Sequence, residues 1–327
     1  MTSATGLLPA KLPATTERTI PGLSPALRQR LRRLFRILSV LSPALTARLA
    51  MRMFLTPIAR RVGTDDTLFL ASARTRVLTT GAGRVRAYEW PAHVDSGKHG
   101  LSAPPVHTVL VVHGWISHAA RMAEVIRELH ARGLRVLAFD APAHGRSSGT
   151  QADLQAFRSA LAAVLTEYSP VEAVLAHSFG ALTVATWLAE DQPAQVRAAV
   201  LIGMMNDVGY IFESFTQAMA MNADVIARFR ELFRARYGGY AEEFSAARWV
   251  PRISLPVLLV HGSADEIVPA THATEIAAQL RQGQMLLVDG LGHSAPLRDP
   301  ATVARIADFL VAQLMPMQPT VAHQVYK

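Results

Sequence analysis

The residue of this sequence that is best suited to chemistry is a serine within a short, well-defined pattern. Residues 171–177 form a largely apolar run, Ser178 follows, and helix-forming alanines and leucines begin directly after Gly180. This order predicts a strand, a sharp turn and a helix, which is the arrangement of a nucleophile elbow. Such a turn is crowded, so the positions two before and two after the serine must be small, as Ala176 and Gly180 are. The pattern predicts a serine hydroxyl raised above a sheet at the N-terminus of a helix.

Three further apolar runs end in residues that could join this serine. The run at 109–112 is followed by a glycine turn that can present the backbone N–H of Trp115. Asp265 lies just beyond a second run, and His293 lies in a glycine-bounded loop beyond a third. A serine hydroxyl is a weak nucleophile near neutral pH and needs a base such as histidine within hydrogen-bond reach. These residue types therefore predict nucleophilic catalysis by serine.

The composition excludes several other chemistries. The 327 residues include no cysteine, which excludes disulfides, thiol nucleophiles and cysteine metal ligands. The twelve histidines show no H-E-x-x-H spacing, so neither a metal ion nor another cofactor is expected. Half of the residues are hydrophobic, so a chain of this length can bury a sizeable core.

The body of the chain alternates apolar runs with amphipathic segments. After a β-hairpin at 74–90, strands are expected near 107–113, 134–140, 171–177, 197–202, 256–262 and 284–289. Helices are expected near 118–132, 151–168, 179–190, 271–282 and 300–315. This alternation predicts an α/β fold with a mostly parallel, twisted sheet covered by helices on both faces.

About fifty residues of mainly helical pattern interrupt this alternation between Gly203 and Leu255. They contain nine of the 22 aromatic residues of the chain. The insertion leaves from the carboxyl end of a strand, where open α/β sheets bind ligands, so we predict a helical cap over an apolar pocket. An insertion that only packs on the body is the alternative. The candidate pocket residues are His118, Met204, Met205, Phe212 and Phe215.

The positive charge of the chain belongs to its N-terminal segment. Residues 1–66 hold eleven Lys and Arg against three Asp and Glu, whereas the rest of the chain holds 22 of each. After a flexible tail expected at 1–22, two amphipathic helices are predicted over about 24–41 and 43–55, and their arginines exclude a membrane span. Their leucine face could pack on the body, contact an anionic membrane through residues 23–61, or bind another macromolecule. No recognised nucleic-acid module is present, and no nucleic-acid partner is expected.

The order Ser178, Asp265, His293 and the stretches around these residues resemble the α/β-hydrolase fold superfamily over about residues 74–316. The resemblance implies that Ser178 is the nucleophile and that His293 is its general base. It also implies that Asp265 fixes the imidazole tautomer and stabilises the imidazolium.

The resemblance further implies an oxyanion hole formed by the backbone N–H groups of Trp115 and Phe179. Asp207 is the alternative acid, because some family members place the acid after the preceding strand. His113 is expected to brace the oxyanion turn. We expect the side chain of His177 to point away from the site in a packing role, with a substrate contact as the alternative.

Asp140 ends the strand expected at 134–140, His144 lies in the loop after it, and both are interpreted as loop architecture. The predicted organisation comprises a tail with basic amphipathic helices at 1–73, a catalytic domain at 74–203 and 251–327, and a cap at 204–250. A cytoplasmic location is expected, with peripheral contact at the inner face of the membrane as an extension of it.

The predicted function is hydrolysis of carboxylic esters with apolar acyl groups through an acyl-enzyme on Ser178, with a small-molecule ester as substrate. The same triad serves lysophospholipases, thioesterases and acyltransferases, which remain alternatives. The non-enzyme alternative is a module that retains the fold and docks on membranes or partners.

Overall fold

The structure is a computed structural model that describes residues 22, 24–58, 61–92 and 106–315. The tail expected at 1–22 lies outside these residues except for Gly22. The strands are β1 (Arg74–Thr80), β2 (Gly83–Trp90), β3 (Thr108–Val112), β4 (Arg135–Asp140), β5 (Ala173–His177), β6 (Ala198–Ile202), β7 (Val257–Gly262) and β8 (Gly283–Val288). The helices are α1 (Pro25–Leu41), α2 (Pro43–Phe54), α3 (Thr64–Ala71), α4 (Ala123–Ala131), α5 (Leu154–Tyr168), α6 (Phe179–Asp191), α7 (Val208–Ala218), α8 (Ala223–Tyr237), α9 (Ala246–Trp249), α10 (Ala270–Ala277) and α11 (Pro300–Leu314).

The eight strands form one sheet in the order β1-β2-β4-β3-β5-β6-β7-β8. The pairs β1–β2 and β2–β4 are antiparallel, and the remaining neighbours are parallel. The predicted α/β fold with a mostly parallel sheet is therefore confirmed. Because β3, β5, β7 and β8 run in the same direction, their carboxyl ends meet at one edge of the sheet, and this edge carries the site.

Alternate residues of the inner strands enter two separate cores. In β3, Leu110 and Val112 pack with residues of α5 and α6, whereas Val109 and Val111 pack on the other face with residues of α4 and α11. All five residues of β3, β5 and β6 are buried. A strand buried on both faces has no solvent-facing positions, which explains why these strands are continuous apolar runs in the sequence.

The elements differ from the predicted ones mainly at their ends. The helix expected at 118–132 begins as a 3₁₀ turn over Ala119–Met122 and continues as α4. The helix expected at 271–282 ends at Ala277. The sequence pattern does not indicate helix α3, because its eight residues are too few to show a helical period.

The two N-terminal helices have matching start signals. The Oγ of Ser24 accepts the N–H of Leu27 at 3.3 Å, and the Oγ of Ser42 accepts the N–H of Leu45 at 3.4 Å. A proline follows each cap at the first helical position, where its missing N–H removes no helical hydrogen bond. None of the helices in the described part of the chain combines the length and apolarity needed to cross a bilayer.

The residues between β6 and β7 form α7, α8, α9 and short 3₁₀ turns. Phe212 of α7 stacks on Phe229 of α8 with ring centroids 4.2 Å apart. Phe54, from the end of α2, makes edge contacts with Phe215 at 5.4 Å and Phe229 at 5.6 Å. The N-terminal helices and the insertion therefore form one apolar unit, although more than 150 residues separate them in the chain.

Candidate active site

Ser178 occupies a strained turn between β5 and α6. Its φ of 55° and ψ of −120° place it in a region that non-glycine residues rarely adopt. A β-carbon at Gly180 would lie 2.3 Å from the carbonyl oxygen of His113, so a glycine is required for α6 to begin so close to the end of β3. The backbone of this turn therefore determines the direction in which the side chain of Ser178 leaves the chain.

Three predicted side chains form one hydrogen-bonded line. The Oγ of Ser178 lies 2.9 Å from Nε2 of His293, and Nδ1 of His293 lies 2.7 Å from Oδ2 of Asp265. The carboxylate requires a proton on Nδ1, which leaves Nε2 free to accept the serine hydroxyl. This is the geometry in which a histidine can remove the proton of a serine.

The carboxylate of Asp265 is held in its ionised form. Its Oδ1 accepts the N–H groups of Ile267 at 2.9 Å and Val268 at 2.8 Å, and Nε2 of His261 lies 3.3 Å from Oδ2. Burial opposes ionisation, but hydrogen bonds from His261 and His293 outweigh it and hold the pKa of Asp265 well below its ordinary range. A fixed negative charge therefore faces His293 at neutral pH.

His261 was missed by sequence reasoning. It is fully buried, and its Nε2 donates to the carbonyl oxygen of Val268 at 2.8 Å. It precedes Asp265 by four residues at the end of β7, and that spacing was the only available signal. The structure makes it a support for the loop that carries Asp265.

The turn after β3 lies directly against the serine. A β-carbon at Gly114 would lie 2.9 Å from Cβ of Ser178 and 3.0 Å from the carbonyl oxygen of His177, so only a glycine permits this approach. Among the hydrogen bonds of the described residues, none uses the N–H of Trp115 or Phe179. Phe179 follows Ser178 in the chain and Trp115 follows Gly114, and their N–H groups are the donors predicted for an oxyanion.

Two buried histidines hold the same turn in place. Nδ1 of His113 donates to the carbonyl of Gly114 at 2.7 Å, and its Nε2 accepts the N–H of Ala141 at 2.9 Å. Nε2 of His144 accepts the N–H of Ile116 at 3.2 Å. Burial lowers the pKa of His113 to about 4 and the pKa of His144 to about 3, where the neighbouring His113 adds to the effect. Protonation would place a second donor against each N–H, so both rings remain neutral.

The expected orientation of His177 is wrong. Its ring centroid lies 4.7 Å from that of His293, and its Nε2 donates to the His293 carbonyl oxygen at 3.0 Å. Burial lowers the pKa of His177 to about 3, with the neighbouring His293 ring as a further cause. The strained backbone of Ser178 turns the end of β5, and the preceding side chain therefore packs on the loop of His293.

Ser178 and His293 line an apolar cavity of about 800 Å³. Met205 and Phe215 belong to its wall, as predicted. The predictions for three other pocket residues, His118, Met204 and Phe212, require correction, because none of them lines the cavity. His118 is fully buried behind the turn, 3.6 Å from the Asp66 carboxylate. Met204 is buried in the core, and Phe212 uses its face to stack inside the insertion.

The remaining acidic candidates have structural contacts. Asp207 caps α7 and accepts the N–H of Tyr210 at 2.6 Å, whereas the acid that contacts His293 is Asp265. Burial raises the pKa of Asp207. Asp140 accepts the hydroxyl of Tyr88 and the N–H of Ala119, both at 2.8 Å, as expected for loop architecture. Within the described ranges, no group of three or more histidines and acids is arranged to hold a metal ion.

The N-terminal helices contribute a wall of the cavity that the sequence did not indicate. Leu27 and Leu31 of α1 and Met53 and Phe54 of α2 all line it. The amphipathic pattern of these residues predicts one apolar face on each helix, but it does not indicate which surface that face contacts.

Two protein-family models and several known proteins match parts of this chain. A family model described as "Serine aminopeptidase, S33" matches residues 103–239, and one described as "TAP-like protein" matches residues 242–322. A non-heme haloperoxidase from Rhodococcus erythropolis is 26% identical over 233 residues, which cover 57% of this chain and 85% of that protein.

Solved structures share the architecture at low sequence identity. An esterase from Pyrococcus furiosus is 19% identical, covers 78% of this chain and 96% of its own, and has a TM-score of 0.55. The esterase domain of a Rhodothermus marinus protein is 20% identical, covers 73% of this chain and 96% of its own, and has a TM-score of 0.51. At this level of sequence identity, the similarity shows that the fold is shared and nothing further.

Proposed function

We propose that the chain is a serine hydrolase of the α/β-hydrolase superfamily that cleaves carboxylic esters with apolar acyl groups. The two family models, which match residues 103–239 and 242–322, and the shared fold support this proposal. The observation that carries the proposal is the hydrogen-bonded line from Asp265 through His293 to Ser178, with distances of 2.7 and 2.9 Å, in the wall of an apolar cavity. No cofactor enters the proposed reaction.

In the first half of the reaction, Oγ of Ser178 attacks the ester carbonyl carbon while Nε2 of His293 takes the hydroxyl proton. The carbonyl oxygen becomes an oxyanion, which accepts hydrogen bonds from the N–H groups of Trp115 and Phe179. The intermediate then collapses, the carbon–oxygen bond to the alcohol breaks, and the imidazolium returns the proton to the departing alkoxide. The acyl group remains on Ser178.

In the second half, water replaces the alcohol. His293 takes one proton from the water as the oxygen attacks the acyl carbon, and the bond to Ser178 breaks with return of that proton to Oγ. The carboxylate of Asp265 stabilises the imidazolium in both halves, because hydrogen bonds keep it ionised. The products are a carboxylic acid and an alcohol.

The apolar acyl preference is supported by the cavity wall. Its residues are mostly aliphatic and aromatic, among them Leu31, Phe54, Met205 and Phe215. Burial of each methylene of an acyl chain in such a wall contributes about 0.8 kcal/mol. Activity should therefore rise with acyl chain length until the cavity is filled.

The test is hydrolysis of p-nitrophenyl esters from acetyl to palmitoyl by the full-length protein and by Ser178→Ala. We expect the variant to lose at least about 10³-fold in kcat/KM, and a fluorophosphonate probe to label only the parent protein. The matched control is Ser159→Ala, a half-buried serine on α5 outside the cavity. Equal rates for the parent and Ser178→Ala would exclude the proposed function and favour a docking module that retains the fold.

The same series addresses the reaction subclass. A glycerol or thiol acceptor added to the assay would divert product from free acid to acyl transfer if the acyltransferase alternative were correct. A thioester series run in parallel distinguishes a thioesterase, and a lysophospholipid distinguishes a lysophospholipase. We expect simple carboxylic esters to give the highest kcat/KM.

A further inference from the structure

The corner between α1 and α2 carries an unusual set of exposed side chains. Ile37, Val40 and Leu41 at the end of α1 and Leu45 at the start of α2 are 60%, 81%, 74% and 62% exposed. Only Ser42 separates the two helices, so these residues surround one bend in the chain. Aliphatic side chains exposed to this extent protrude from the surface and do not line a groove. We call these four residues the α1–α2 corner.

The corner is distinct from the face that holds the helices to the body. On α1 the buried residues are Phe35 and Ser39, and on α2 they include Ala47 and Ala50. Helix α2 uses its buried face against α8. The helices are therefore already anchored, and the exposed aliphatic residues are not required for that contact.

The charges around the corner have one sign. Neither α1 nor α2 contains an aspartate or glutamate, and the sequence between Glu17 and Asp65 contains ten arginines and no acid. Arg33 and Arg36 on α1 and Arg48 on α2 are all exposed close to the corner in sequence. Protruding aliphatic residues among exposed arginines match the interfacial region of an anionic bilayer, where acyl chains lie below negative headgroups.

An apolar track connects the corner to the cavity. Leu27, Leu34 and Leu41 recur every seven residues, which places them along one side of α1. All three are exposed large hydrophobic residues. Leu27 also lines the cavity that contains Ser178 in its wall. One side of α1 thus leads from the exposed corner to the cavity wall.

We propose that the α1–α2 corner docks the protein on an anionic lipid bilayer, and that the apolar side of α1 leads a lipid ester from the bilayer into the cavity. The second part rests on the proposed function, whereas docking does not depend on catalysis. The substrate class would then be carboxylic esters with a long aliphatic acyl chain, which partition into the bilayer.

Docking is tested first, with the full-length Ser178→Ala protein so that no turnover occurs. Co-sedimentation is measured with vesicles of phosphatidylglycerol and phosphatidylcholine, and with vesicles of phosphatidylcholine alone. We expect binding to the anionic vesicles, weakened by high salt. The charge variant Arg33→Glu, Arg36→Glu, Arg48→Glu should lower binding by at least about tenfold, since one basic residue alone contributes about fivefold. The corner variant Ile37→Ser, Val40→Ser, Leu41→Ser should also lower binding by at least about tenfold, because it removes the aliphatic side chains that enter the acyl-chain region.

Matched controls separate docking from general surface changes. Val77→Ser and Leu287→Ser remove aliphatic residues that are 51% and 49% exposed in β1 and β8, the two outermost strands of the sheet. Arg74→Glu, Arg281→Glu and Arg305→Glu make the same change in net charge at other exposed positions. Both control sets should bind vesicles more tightly than the two corner-region variants, and thermal unfolding of every variant verifies that it is folded.

Delivery is tested with the catalytically active chain. The corner variant should hydrolyse water-soluble p-nitrophenyl butyrate like the parent but lose at least about tenfold on monooleoylglycerol embedded in anionic vesicles. If the parent cleaves neither ester, the proposed function fails while the vesicle measurements still decide docking. Unchanged vesicle binding by both folded variants would overturn the proposal. A shift from dimer to monomer in the corner variant, without vesicle binding by the parent, would overturn it in favour of a second copy of the chain.

Discussion

At the scale of single residues, Asp265 accepts hydrogen bonds on both carboxylate oxygens. Oδ1 takes two backbone N–H groups, and Oδ2 faces Nδ1 of His293 at 2.7 Å. The two oxygens are therefore not interchangeable, because the backbone donors fix which of them faces the imidazole. The backbone of the loop after β7 therefore orients the carboxylate of Asp265, and the carboxylate in turn selects the tautomer of His293.

Replacing Asp265 with asparagine should invert that tautomer. The amide oxygen would stay with the backbone N–H groups, and the NH₂ group would face Nδ1 of His293. A proton would then move to Nε2, which could no longer accept the hydroxyl of Ser178, and we expect kcat to fall by about 10⁴-fold with a small change in KM. Steady-state ester hydrolysis provides the measurement.

The control for this substitution is Asp299→Asn, because that aspartate begins α11 and asparagine caps a helix equally well. Its activity should match that of the parent. Retention of more than about a tenth of the parent kcat by Asp265→Asn would contradict the tautomer argument.

At the scale of elements, the turn after β3 depends on the absence of a side chain. Gly114 lies against both Ser178 and the backbone of His177, so an added methyl must displace either the turn or the elbow. The N–H of Trp115 follows directly and would move with the turn. The oxyanion hole is thus a contact between two loops from different strands.

Gly114→Ala is expected to lower kcat by about 10²–10³-fold, which is the typical loss when one oxyanion donor is removed. Gly81→Ala is the control, since a β-carbon there would meet only the Oγ of Ser159 at 3.8 Å. Both variants are compared in ester hydrolysis and in thermal unfolding. Full activity in a folded Gly114→Ala protein would rule out the turn as the source of an oxyanion donor.

The histidines that hold this turn predict how stability varies with pH. His113 and His144 have folded-state pKa values of about 4 and about 3, below the ordinary 6.5 of the unfolded chain. Between these limits the unfolded state binds more protons than the folded state, so the free energy of unfolding rises with pH. Stability should be complete above about pH 6.5 and decrease as the pH falls through this window.

Urea unfolding at intervals between pH 4.5 and 7.5 measures this dependence. We expect His144→Gln, whose amide oxygen can still accept the N–H of Ile116, to reduce the slope by about 1 kcal/mol per pH unit in the middle of the window. A parent protein whose unfolding free energy is constant from pH 4.5 to 6.5 would contradict the assignment of neutral buried rings.

At the scale of the whole molecule, the cavity is built by two segments that are far apart in the chain. Phe54 at the end of α2 makes edge contacts with Phe212, Phe215 and Phe229 of the insertion. The N-terminal helices therefore close the cavity together with the insertion. Loss of this contact should affect stability and substrate binding at once.

Phe54→Ala is expected to lower the free energy of unfolding by about 2–3 kcal/mol, because the ring is half-buried in an aromatic cluster. KM should rise more for long-chain than for short-chain p-nitrophenyl esters, because the lost ring belongs to the cavity wall. Phe309→Ala is the control, a half-buried phenylalanine of α11 on the other face of the sheet. Equal changes in KM for both variants would contradict a role of Phe54 in the cavity.

Much of the fold follows from local patterns. Strands buried on both faces, such as β3 and β5, appear as continuous apolar runs, and their spacing with helices specifies a parallel sheet. The positions of Ser178, Asp265 and His293 just beyond such runs place them at one edge of that sheet. Parallel strands end on the same side, so the sequence alone brought these three residues into one region.

Other features depend on contacts that no local pattern encodes. The orientation of His177, the support of Asp265 by His261 and the burial of His118 each depend on which loop packs beside which. An amphipathic pattern predicts that one face of a helix is buried, but it does not predict which surface that face contacts. Only the tertiary structure decided that Phe54 contacts the insertion and that the corner between α1 and α2 leaves aliphatic residues exposed. The physical reason is that packing joins residues that lie far apart in the chain.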